Sequence, residues 1–412
     1  MTKTFLLALH LGGAAVMAAA SPALAQTKVV LPPGPGHDTV ASVCAACHEL
    51  DRLSLASYDR QEWGEAVSRM IAVGAPVPPD KRDEVVAYLA NSFPDRGRPA
   101  GVRITGPVKV AFKEWTVPTP GSRPHDPLGA ADGSLWWTGQ FANKIGRLDP
   151  ATGQMKEYEP EIPRSGPHGL KADKAGNIWF TANFQGYIGK LDPKTGKTVA
   201  YMMPDPAARD PHTLEFDQKG ALWFTVQNAN MVGRLDTATG DIKLAKAPHP
   251  KTNPYGLVIT SKGVPVFDLF GTNAIGAIDP GTMAIREYRL PDPDSRPRRI
   301  AITSDDTIWY TDFSRGKLGK LDLQSGKVTE YKSPGGVDSQ PYAITALHDV
   351  IWYVESNTKP NMLMRFDPKT AKFQSWPIPS GGGVVRNMMA TREGGLAMAE
   401  SALNKVAIAS IR

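Results

Sequence analysis

The chain has 412 residues, a formal charge of +6 at neutral pH and two cysteines. That length calls for more than one domain. The charge is modest and no dense Lys/Arg block is interleaved with aromatics, which excludes nucleic acid as a partner.

Residues 1–25 carry Lys3, an apolar stretch from Phe5 to Ala20, and Ala23-Leu24-Ala25 before Gln26. These are the parts of a cleavable export signal. The stretch is broken by His10 and two glycines and falls short of the ~20 residues that span a bilayer. No later segment is apolar enough to cross a membrane, so the reading is a periplasmic protein without a membrane span. Residues 26–37 read as a linker.

Residues 38–96 read as a small all-α domain. Cys44, Cys47 and His48 spell C-A-A-C-H. In an exported chain, two thiols for thioether bonds and an adjacent imidazole for the iron are what c-type haem attachment requires. Trp63, Val67, Met70 and Ile71 recur at helical spacing, and Val85, Val86, Tyr88 and Leu89 line a last helix. The second axial position falls to Met70, since no histidine lies between His48 and the end of the domain. The segment around Met70 resembles the region carrying the sixth ligand in small cytochromes that serve sulfite and amine dehydrogenases. A cytochrome c-like domain holding covalent haem c, and a periplasmic redox partner protein, are therefore expected.

After a linker at 97–107, residues 108–412 repeat. His125, His168, His212, Tyr255, Arg298, Tyr342 and Arg386 follow one another every 43 or 44 residues, a period that marks a repeat architecture. Each unit offers an aromatic strand such as Trp179-Phe180-Thr181, a strand of the Ile-Gly-Lys-Leu type, and an Asp-Pro-x-Thr-Gly turn as at Asp149 and Asp192. Short strands between Asp, Pro and Gly turns read as antiparallel β, and four of them per unit make one propeller blade. Seven units are present, the last short of an outer strand that Val110–Thr116 should supply. The fold class expected is multidomain, a small all-α cytochrome c-like domain plus an all-β seven-bladed propeller.

Pro167 to Asn183 and Trp136 to Leu148 resemble blades of virginiamycin B lyase, also called streptogramin lyase, and the resemblance covers all of 108–412. It implies elimination driven by a histidine in a Pro-His-Gly motif, matched here by Pro167-His168-Gly169, with Mg2+ held by two glutamates. Where the resemblance places those glutamates the chain has Gly166, and Ala182 or Asn183.

The repeating positions should ring one mouth of the central channel, where propellers bind ligands. His125, His168 and His212 are candidates for a divalent metal site, for substrate binding or proton transfer, or for plain loop hydrogen bonding. A second set, at the residue after the Trp-Phe-Thr strand, turns acidic in the last three blades as Asp312, Glu355 and Glu400, which are expected to face the histidines across the channel. Glu355 and Glu400 join the three histidines as catalytic candidates. Tyr255, Arg298, Asp312, Tyr342 and Arg386 are substrate-binding candidates, with ion pairing to Glu355 or an anionic ligand as the two explanations of the arginines. The function expected is electron transfer between the haem and a small molecule or partner at the propeller. The alternatives are a carbon–oxygen lyase with an accessory haem and a non-catalytic docking propeller.

Overall fold

The computed structural model describes residues 30–44, 50, 53, 58–72 and 75–412. Among the described residues three α-helices precede the strands: α1 (His37–Val43), α2 (Arg60–Ala72) and α3 (Arg82–Ser92). A reciprocal cap starts α2, the Glu62 amide donating to Asp59 Oδ1 and the Asp59 amide to Glu62 Oε2, both at 2.9 Å. Val40, Trp63, Val67, Val85, Tyr88 and Leu89 form one buried cluster among the helices, and Cys44 packs against it. Trp63 Nε1 donates to the Phe93 carbonyl, and Tyr88 donates to that of Pro32. These helices are few and short, and they do not by themselves establish the expected cytochrome c-like domain. Cys47 and His48 lie outside the described residues. No helix among the described residues is long and apolar enough to cross a membrane.

The expected linker is fastened rather than loose. Ser375 Oγ donates to the Val102 carbonyl and accepts from the Ile104 amide, and Ala100 bridges to Lys359. Lys359 also pairs with Asp59 at 3.0 Å, tying the start of α2 to the sixth blade.

The remainder is a ring of seven four-stranded antiparallel sheets. In the first blade the strands run Pro124–Gly129, Leu135–Gly139, Lys144–Leu148 and Met155–Tyr158. The second strand of every blade is buried. In blades one to five its aromatic residue lies over a glycine of the third strand: Trp137 opposes Gly146 and Tyr310 opposes Gly319. A Cβ at Gly319 would stand 1.9 Å from the Tyr310 ring, so no larger residue fits. The preceding tryptophan stacks outward on the fourth strand, as Trp179 does on Tyr201 at 5.4 Å. As expected, Val110–Thr116 completes the seventh blade by pairing with Lys405–Ile411, so first and last strands close the ring.

Candidate functional site

Each innermost strand begins with a proline or valine, then the ring residue, and carries a bulge before its next ladder contact; in blade two the register shifts between Pro167 and Leu170. A bulge sets two residues against one on the partner strand. The ring residue and its successor therefore both turn toward the channel. A threonine of the second strand fixes this geometry: Thr181 Oγ1 accepts from the Gly169 amide at 2.7 Å and donates to the His212 carbonyl of the next blade at 2.7 Å. Thr138, Thr225 and Thr311 make the same inter-blade bond to His168, Tyr255 and Tyr342.

The histidines come together as a stack of mutually tilted rings. The centroids of His125 and His168 are 3.5 Å apart, those of His168 and His212 3.8 Å, and those of His212 and Tyr255 3.9 Å. All three imidazoles are buried. Burial, reinforced by neighbouring positive charge, holds each well below the usual histidine range, so the stack is neutral at pH 7. His125 Nδ1 donates to Asp126 Oδ1 at 2.9 Å, which leaves its Nε2 lone pair available. His168 Nδ1 has no hydrogen-bond partner.

On the other side the Tyr255 and Tyr342 hydroxyls bond to each other. Burial would raise both phenols, but the Arg298, Arg386 and Arg299 guanidiniums outweigh it at Tyr342 and bring that phenol down to about 7. Tyr255 is pushed up to about 12 by burial and by its partner. Arg298 lies 4.2 Å over both Phe313 and Tyr342 and 4.7 Å over Phe270.

Two residues that carried no pattern in the sequence lock these halves together. Arg299 donates to Asp126 Oδ1 at 3.3 Å, to Thr213 Oγ1 at 3.1 Å and to the Arg386 carbonyl at 3.2 Å. Below it the channel holds a cavity of about 220 Å³ lined in part by Gly256, Asn387 and Lys171. A larger cleft of about 1040 Å³ separates α2 and α3 from the seventh blade. It holds none of the shifted groups gathered at the ring.

The acidic set does not face the histidines. Glu355 accepts from Ser333 Oγ and from the Gly335 amide at 2.7 Å, Asp312 from the Arg296 amide at 3.0 Å, and Glu400 from Ser380 Oγ at 2.8 Å. Each carboxylate thus ties down the loop leading into its own blade. The expectation of ion pairing between the ring arginines and Glu355 falls with it. Burial and repulsion from Glu114 push Glu400 up to about 7. The carboxylate that does meet the histidines is Asp126.

The glutamate positions implied by the resemblance are physically refilled. Gly166 has φ +61°, and a Cβ there would stand 2.4 Å from the Phe184 ring. Asn183 is engaged by Gln140 at 3.0 Å and by the Pro211 carbonyl at 3.1 Å. Another donor set exists among the described residues: ligand atoms of His125, Asp126 and His168 lie within 4.8 Å of one another. Of the haem candidates, Cys44 and Met70 are partly buried, and Cys47 and His48 lie outside the described residues.

A sequence model of the virginiamycin B lyase family matches residues 102–267 and 266–411. A solved streptogramin B lyase is 26% identical, with 74% of this chain and 98% of that chain covered at a TM-score of 0.67. Virginiamycin B lyase from Staphylococcus aureus, as its selenomethionine form, is 25% identical with 73% and 99% covered and the same TM-score. Hydrazine synthase of Kuenenia stuttgartiensis, at 12% identity, 70% and 95% coverage and TM-score 0.59, shares the fold alone. No curated protein matches the chain.

Proposed function

Since the chain belongs to the virginiamycin B lyase family, we propose that its propeller mouth performs a carbon–oxygen lyase reaction with side-chain acid and base. The supporting observation is a stack of three neutral imidazoles that runs on through Tyr255 to the acidified phenol of Tyr342. A neutral imidazole of the stack takes a proton from the carbon next to a carbonyl. The freed electron pair forms the carbon–carbon double bond as the carbon–oxygen bond breaks, and the leaving oxygen collects a proton from Tyr342. His168 is the base that the family motif designates. His125, held by Asp126 behind it, is the neighbour positioned to relay the proton.

This reading dispenses with the glutamate-held cation. His125, Asp126 and His168 would suit a divalent transition metal by donor type, but Arg123, Arg298, Arg299 and Arg386 all act on the His125 ring as positive charge, and that field opposes a second cation. The test is a panel of cyclic and linear esters, streptogramin B included, assayed for the absorbance of an unsaturated product. Turnover that survives chelation and disappears in His168→Ala supports the reading; turnover indifferent to His168 overturns it.

A second proposal stands on the helical segment. Exported to the periplasm after signal cleavage, the chain would hold haem c through Cys44 and Cys47 with His48 and Met70 as axial ligands. Favouring it, Cys44 ends α1 against the helical core, and Met70 follows Trp63 and Val67 along one face of α2. The haem would supply one-electron exchange with a periplasmic redox partner. Protein made in an export host should show a covalent reduced-minus-oxidised haem spectrum, displaced in Met70→Ala. A spectrum without haem in intact exported protein sinks it.

A further inference from the structure

The ring arginines have lost the internal partner that the sequence offered them. Glu355 is spoken for by Ser333 and Gly335, Asp312 by the Arg296 amide, and Asp126 by His125 and Arg299. Arg386 makes no ion pair or side-chain hydrogen bond among the described residues, and its Nε is buried without a partner. Arg298 pairs with no carboxylate either; its guanidinium bonds to the Tyr342 and Tyr255 side chains, its Nε is unpartnered, and its flat face rests on Phe270, Phe313 and Tyr342. Guanidiniums gathered without a carboxylate partner, offset only by the neighbouring phenols and with Nε donors unsatisfied, lower their energy by taking up an anion.

The surroundings are apolar as well as cationic. Phe270 and Phe313 are part-exposed and 6.4 Å apart at the ends of neighbouring second strands. Phe141 and Phe184 form another pair, 6.2 Å apart, in blades one and two. Such rings contribute contact area for a flat apolar body while the guanidiniums fix its charged end.

We infer that the mouth is a seat for an organic carboxylate carried on a flat apolar body, with Arg386 and Arg298 holding the carboxylate and Phe270 and Phe313 bracketing the body. This deepens the lyase reading by naming the substrate class of the same site, and it places the reacting carbon between the arginines and the histidine stack.

Binding to the full chain by titration calorimetry tests the seat without any turnover. The probes are benzoate, which has both features, acetate, which has only the charge, and benzamide, which has only the ring. Benzoate should bind at least about tenfold tighter than either. Arg386→Gln and Phe313→Ala should each weaken benzoate about tenfold, whereas Arg386→Lys recovers part of the loss. Thermal unfolding of each variant without ligand separates misfolding from lost contacts. Benzamide binding as well as benzoate, or benzoate binding equally well to wild type, Arg386→Gln and Arg298→Gln, overturns the seat. Benzoate binding in a protein without elimination activity removes the lyase reading and leaves the seat standing. Elimination on neutral esters without benzoate binding does the reverse.

Discussion

One side of the propeller mouth is three stacked imidazoles, and the other is two phenols under partly exposed guanidiniums. Both arise from the same position in the same repeat, so backbone geometry is held constant while chemistry changes. What separates them is how each is satisfied from within. The histidine side is mostly satisfied from within: His125 has Asp126, His212 has Thr213, burial keeps the rings uncharged, and of the three Nδ1 atoms only that of His168 is left without a partner. The arginine side is left with unspent donors at Arg298 and Arg386. On the proposed reading, the histidine side transfers the proton and the arginine side holds the substrate.

The largest effect should come from removing the base. His168→Ala is expected to lower the elimination rate by about 10²–10⁴-fold with modest loss of stability, while Arg386→Gln should act chiefly through KM. Equal losses of kcat in the two variants would erase the division. Next comes the bridge between the halves. Asp126→Ala leaves Arg299, 3% exposed, without its ion partner, and a loss of about 3–5 kcal/mol in denaturant unfolding is expected. A loss nearer that of a surface pair would mean the halves are not coupled through Arg299.

A third comparison sets the loop-tying carboxylates against Asp126. The Glu400 side chain holds its proton more tightly when folded than when unfolded, so its contribution is complete in acid and lost as pH rises from about 4.5 through about 7. Wild type should lose on the order of 3 kcal/mol over that window. Glu400→Gln should flatten the profile, measured by urea unfolding across pH, and leave turnover unchanged. The smallest effect is expected at Tyr342. Because the phenol donates as a neutral acid, activity should fall as pH rises through about 7, and Tyr342→Phe should remove that limb at a cost of about tenfold in kcat. Tyrosinate absorbance appearing near pH 7 in wild type and absent in Tyr342→Phe checks the assignment.

The seven blades, their period and the closing strand were legible because a repeat displays its register seven times over. The ring residues were legible for the same reason. Asp126 and Arg299 were not: strand alternation allots one inward residue per position, and only the bulge after each Pro-x step turns two successive residues inward. Their signal was a charged residue directly after a ring position. The acidic set misled in the opposite way. Asp312, Glu355 and Glu400 end their strands, where a short turn back to the preceding loop captures the carboxylate before it can cross the channel. The four phenylalanines follow those strand ends by one residue in blades four and five and by two in blades one and two, an offset that hides them from a fixed period.

The strand Val110–Thr116 has a further meaning. It runs antiparallel to Lys405–Ile411, and beyond their ladder the Lys109 and Arg412 backbones exchange hydrogen bonds of 2.9 Å in both directions. The gap between them is that of a single hairpin turn. Joining Arg412 to Lys109 and opening the chain after Thr116 would give a circular permutant in which every blade is built from four consecutive strands. The helical segment would then be detachable, and the two proposed chemistries could be weighed in separate molecules.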